Sequence, residues 1–192
     1  MATLKLVKFE CVEDTDEIGF ESPYFLTFIA DTRFLSNGFE KLPEVHLTRK
    51  NFWNNKVDKG EVWPVNTNIT STFSLSPDHT LVLAAMIEKD EGVDISGAEI
   101  ATIRNKMSQS WTAHIQGGFQ INDSGLTHNL SNAFEGAINT ALSTAVGADD
   151  DLMENSVGKA VRRVALTHET GTFAAVSFPG GGGFYRVWYG RS

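Results

Sequence analysis

The hydrophobic period switches twice along this chain, and that switch limits the fold more than any other feature. Up to residue 88, and again from residue 160, apolar residues alternate or come in short runs, as strands do. Between those stretches they fall at three- and four-residue spacing. From Leu130 the apolar positions are 130, 133, 134, 137, 138, 141, 142, 145 and 146, a continuous stripe down one helix face. Upstream, Ser96 and Glu99 fit a capping box, in which hydroxyl and carboxylate each satisfy an orphan backbone amide. Ile100, Ile103, Met107 and Trp111 follow at helical spacing. Two helices are expected, over 96–115 and 130–146, the second stopped by Gly147. Strands on both sides of a helical pair predict a mainly β fold. The expected form is an antiparallel β-sandwich with a two-helix insertion around residues 96–146.

The strand-period runs are 3–12, 24–30, 61–65, 69–75, 80–88, 160–166, 172–178 and 184–189. Residues 81–87 are apolar throughout and predict a strand buried on both faces. Residues 31–59 are polar and are read as a long loop with short strands, 76–79 as a turn, and 116–125 as a short strand between turns. Pro179 and the four glycines after it read as a flexible hairpin tip. With 192 residues and 41% hydrophobic content, the chain suits a single domain over 1–192 with a core that needs no staples. Cys11 is the only cysteine, so no internal disulfide forms; it is expected as a buried strand thiol. No secretory h-region is visible, and no run approaches the ~18 apolar residues of a membrane span. A soluble protein is expected, cytoplasmic or exported without a cleaved signal peptide.

Charge narrows the function classes. The net charge of −8 leaves no basic surface to replace phosphate counterions, so nucleic-acid binding is excluded. Half of the 24 acidic residues sit in three short clusters, at 13–17, 88–94 and 149–154, each beside a strand-period run. Crowded carboxylates repel one another unless solvent or a cation intervenes. Ca²⁺ takes six to eight oxygens, and loops rich in Asp and Glu supply them. The candidate metal ligands are Asp14, Asp16, Glu17, Glu88, Asp90, Asp149 and Asp151. The alternative is three solvated turns on an acidic protein.

Thr15, Asp16 and Glu17, followed by Ser22, Pro23, Tyr24 and Phe25, resemble the first calcium loop and next strand of C2-like β-sandwich modules. The segment Ile87, Glu88, Lys89, Asp90 is similar to the Glu-x-Asp end of a central strand in that family. Asp149, Asp150 and Asp151, with Asn155 to Gly158 behind them, resemble its third acidic loop. The likeness covers roughly residues 3–30, 80–94 and 147–189. It implies a C2-like fold, Ca²⁺ as the cofactor and phospholipid as a ligand, although no basic groove for acidic headgroups is evident.

Enzyme signatures are missing: the five histidines show no HxxxH or HxH spacing, and no Gly-x-Ser-x-Gly elbow occurs. A pair of carboxylates from distant strands, as glycosidases use, leaves no trace in a sequence. The helix at 130–146 has no Lys or Arg on its polar face, unlike helices that lie on membranes, and is expected to pack on the sandwich with Phe134, Ile138 and Leu142 buried. The four Trp (53, 63, 111 and 188) divide between core and sugar-stacking roles. Two readings follow: a calcium-dependent binding or structural module, or a lectin-like or toxin-like interaction protein with solvated acidic turns. The partner is a protein, carbohydrate or lipid.

Overall fold

The structure, a computed structural model, describes residues 3–13, 23–31, 42–49, 59–72, 74–88, 95–116, 124–145, 151–154, 157–180 and 183–192. In chain order its elements are β1 (Leu4–Glu13), β2 (Tyr24–Asp31), β3 (Glu44–Arg49), β4 (Val62–Ile69), β5 (Thr80–Glu88), α1 (Gly97–Gln116), α2 (Ser124–Thr144), β6 (Asp151–Leu152), β7 (Arg162–Arg163), β8 (Phe173–Gly180) and β9 (Gly183–Arg191). The fold is mainly β. One sheet has the order β4-β1-β9-β8; the other runs β3-β2-β5-β6, with β7 also paired to β5. Every pairing is antiparallel.

The two sheets meet across a common core. Leu4, Leu6, Phe9 and Cys11 of β1 and Tyr185, Val187 and Tyr189 of β9 face Phe25 and Ile29 of β2 and Val82, Ala84 and Met86 of β5. A bulge between Leu6 and Lys8 shifts the alternation of β1 by one residue, so Phe9 follows Leu6 inward and Lys8 turns out. Cys11 is fully buried on that strand. Phe9 stacks on Tyr185 with ring centroids 5.4 Å apart.

β2 and β5 are buried at every position, because the five-stranded sheet is covered on both sides. Their other face carries Leu26, Phe28, Leu83, Ala85 and Ile87, and both helices pack there through Ile103, Met107, Trp111, Leu130, Phe134 and Ile138. Phe28 is the anchor, 6.4 Å from Trp111 and 5.9 Å from Phe134. The stripe of small and apolar residues thus lies on the sheet. Leu142 packs there too, but is only half-buried.

The α1 capping box forms: Glu99 accepts from the Ser96 amide at 2.8 Å and from its hydroxyl, and the Ser96 oxygen accepts from the Ala98 amide. α2 begins six residues before the expected start, at Ser124, so Ser124 and Gly125 are helical rather than the end of a short strand. Leu126 explains the longer helix, since it sits one turn before Leu130 and is buried with it. Of the apolar run at 69–75, only Ile69 is in a strand among the described residues, and residue 73 lies outside them. β4 instead runs from Val62 through Pro64 to Ile69, and Leu75 enters the core from a loop. Residues 160–166 contain only the two-residue β7, which pairs with Leu83 and Ala84.

Candidate acidic site and its surroundings

Glu88 is the last residue of β5 and is 5% exposed. By alternation with Met86 and Ala84 it faces the space between the sheets rather than the helices. Asp151 opens β6 and is the register partner of Glu88. The antiparallel ladder thereby brings Glu88 of the second acidic cluster beside Asp151 of the third. Among the described residues nothing in sequence spacing signalled that pairing, because the two positions are separated by both helices.

The same end of the molecule holds Glu13, the one described residue of the first cluster. Tyr24, where the chain re-enters after that cluster, is paired with Ile87, the neighbour of Glu88. β1 runs out at Glu13 opposite Phe184, next to the β8–β9 hairpin closed by the pair Gly180 and Gly183. That hairpin touches the third cluster. A Cβ on Gly180 would lie 2.4 Å from the Glu154 carbonyl oxygen and 2.8 Å from its amide nitrogen, an approach only glycine permits. Glu13, Glu88, Asp151 and Glu154 are thus anchored at one end of the sheet stack.

Of the seven residues expected as metal ligands, Asp14, Asp16, Glu17, Asp90 and Asp149 lie outside the described residues. Glu88 is described in full and Asp151 by its backbone. Among the described residues no three His, Cys, Asp or Glu side chains converge closely enough to hold a metal ion. The sequence also predicted a flexible tip at 179–183. Pro179, Gly180 and Gly183 are strand residues in register with β9 or with each other, and 181–182 lie outside the described residues.

A second polar cluster was not visible in the sequence. Glu44 of β3 lies 2.9 Å from the His46 Nε2 and accepts from the amide of Thr72 at 2.9 Å and from the Thr72 hydroxyl. Burial alone would raise its pKa, but the hydrogen bonds from His46, Thr72 and Ser71 outweigh it and bring the carboxyl down to about 2. Such a group stays ionised at neutral pH and does not shuttle protons. The Thr72 hydroxyl donates to the carboxylate, whereas a nucleophile triad needs its hydroxyl on the imidazole. The cluster ties edge strand β3 to the segment that follows β4. Residues 44 and 72 are 28 positions apart, so only the fold reveals the contact.

Two further positions bear on what the molecule can bind. One carbonyl on each of two edge strands is engaged by a side chain: Arg104 of α1 donates to the Val45 carbonyl on β3, and Arg162 to the Ser177 carbonyl on β8, both at 3.3 Å. On β4, Pro64 removes one donor and Asn66 breaks the ladder with a φ of 50°. No helix of the described residues is long and apolar enough to cross a membrane. No protein-family model, curated protein or solved structure matches this chain.

Proposed function

We propose that this chain is a calcium-dependent binding module, a C2-like β-sandwich whose acidic end takes up Ca²⁺. The observation that carries the reading is the register pairing of Glu88 with Asp151 at the end where β1 and β5 stop and β2 and β6 begin. Acidic residues at paired positions of an antiparallel ladder carry a repulsive cost. A buried carboxylate such as Glu88 adds a desolvation cost. A hard divalent cation removes the first and compensates the second, and its oxygen shell matches the donor type gathered there.

Glu88 and Asp151 would hold the ion with Asp14, Asp16, Glu17, Asp90 and Asp149. When bound, the ion supplies charge neutralisation and a rigid link between the three loops; the chain supplies the oxygens and the closed hairpin behind Gly180. Mg²⁺ substitutes poorly, because its small octahedral shell suits flexible multi-carboxylate loops less well. Calorimetric titration of Asp90→Asn and Asp150→Asn tests the assignment. Asp90→Asn is expected to weaken Ca²⁺ uptake, while Asp150→Asn, not among the expected ligands, leaves it near wild type. Equal calcium heats for wild type and Asp90→Asn would overturn it.

A further inference from the structure

The outward face of the four-stranded sheet differs from the rest of the molecule. Down its central strand β9 the outward positions are Phe184, Arg186 and Trp188. Lys8, the β1 partner of Trp188, places its Nζ 4.0 Å from the Trp ring. The Arg186 guanidinium lies 5.8 Å from that ring and 5.9 Å from Phe184. Beyond Trp188, the ring of Phe173 covers Gly190, where a Cβ would meet it at 2.4 Å. Ring, cation and ring therefore follow one another from Phe184 to Trp188 for ~13 Å, at a rise of ~3.3 Å per residue, with the Phe173 ring beyond them.

This ladder is also oppositely charged to its chain. Lys5, Lys8 and Arg186 face outward beside two carboxylates, Glu10, which sits 3.4 Å from Arg186, and Glu13, the partner of Phe184, on a protein of net charge −8. Phe173 remains 52% exposed. On the strand edges beside it, Pro64 lacks a backbone donor on β4 and Arg162 occupies the Ser177 carbonyl on β8, which disfavours an added peptide strand.

We propose that this face binds a linear anionic polysaccharide of the uronate type, whose successive rings carry a carboxylate each. Sugar rings lie against the aromatic side chains, and the carboxylates take the cations that Trp188 holds in place. The chain's overall negative charge opposes such a polymer at long range, but at physiological salt it is screened beyond ~8 Å. An acidic peptide would gain chiefly the charge contacts, since the sheet edges disfavour its joining and it has no sugar rings to stack. This inference is independent of the calcium reading.

Affinity electrophoresis in native gels with entrapped polygalacturonate tests it, run with chelator so that calcium cannot bridge protein and polymer. Gels with neutral galactan and with poly-glutamate are the comparison arms. Retardation by polygalacturonate alone is expected, falling as salt rises. Trp188→Ala and the double variant Lys8→Gln/Arg186→Gln should each weaken it roughly tenfold. The charge variant sits on the surface and keeps the test valid if Trp188→Ala unfolds, which melting curves report. Absence of retardation by polygalacturonate overturns the proposal. So does equal retardation by poly-glutamate, which would point to an acidic protein partner, or undiminished binding by the Lys8/Arg186 variant.

Discussion

Phe134→Ala measures how firmly the helical layer is built into the fold. Phe134 is fully buried, lies on the α2 face that meets the five-stranded sheet, and packs 5.9 Å from Phe28. Removing the ring forfeits its transfer free energy and leaves a cavity beneath two helices and two strands. For a fully enclosed Phe the cost is about 3–5 kcal/mol. In a chain of this size each kcal/mol lowers Tm by about 2–4 °C, so a fall of about 6–20 °C is expected. Urea unfolding followed by far-ultraviolet circular dichroism should show a lower midpoint with unchanged slope. Asn139→Ala, on the exposed side of the same helix, should stay within about 0.5 kcal/mol. A Phe134→Ala loss below about 1 kcal/mol would refute the packing argument, as would a variant of normal stability that fails to bind liposomes.

Three other perturbations test particular contacts. Gly180→Ala drives a Cβ into the Glu154 backbone and should cost about 1–3 kcal/mol in a denaturation midpoint; an unchanged midpoint would mean the hairpin does not seat there. Glu44 has its pKa lowered from 4.5 to about 2, so its contribution is complete above pH 4.5 and is lost as pH falls towards 2. With solvent screening of this half-buried group the loss is about 1–2 kcal/mol, and acid titrations of Glu44→Gln should lack it; an identical acid profile would refute the role. In the core, burial pushes the Tyr189 phenol well above its ordinary pKa, and the neighbouring Thr27 hydroxyl opposes that rise. Both hydroxyls are buried without a hydrogen-bond partner among the described residues, so Thr27→Val and Tyr189→Phe should each be close to neutral or stabilising; a loss above about 1 kcal/mol from either would show that its hydroxyl is held.

The parts of the fold that were legible in the sequence are those set by one-dimensional pattern. The unbroken apolar run at 81–87 announced a strand buried on both faces, and the three–four spacing announced both helices and the face on which Phe134 and Ile138 are buried. Where pattern and pairing compete, pairing decided. The run at 69–75 is rich in branched and aromatic residues, yet the ladder with β1 ends where Ile69 meets Leu4. Residues 160–166 alternate like a strand, but β5 receives β6 and β7 at successive positions along one side, and each keeps two residues. The start of α2 was hidden by Gly125, Thr127, His128 and Asn129, weak helix formers that tertiary packing of Leu126 overrides.

The candidate sites divide in the same way. Acidic clusters are visible as composition, whereas the partnership of residues 88 and 151 exists only in the register of β5 with β6. The aromatic character of the last strand was visible as well, with Tyr185, Val187 and Tyr189 inward. What spacing did not carry was the bulge in β1 that turns Lys8 outward onto Trp188. Contacts across 28 residues, as between Glu44 and Thr72, and across 176, as between Glu10 and Arg186, leave no local trace.

The most direct test of the calcium reading is thermal unfolding of the whole chain in chelator, in excess Ca²⁺ and in excess Mg²⁺. An ion that binds the folded state alone stabilises it by mass action, by about 2.7 kcal/mol at a hundredfold excess over Kd. At about 2–4 °C per kcal/mol this raises Tm by about 5–11 °C. The expected result is a rise of that size in Ca²⁺, set by calcium concentration, with a much smaller one in Mg²⁺. Superimposable melting curves in chelator and in millimolar Ca²⁺ would contradict it and leave the three acidic clusters as solvated turns.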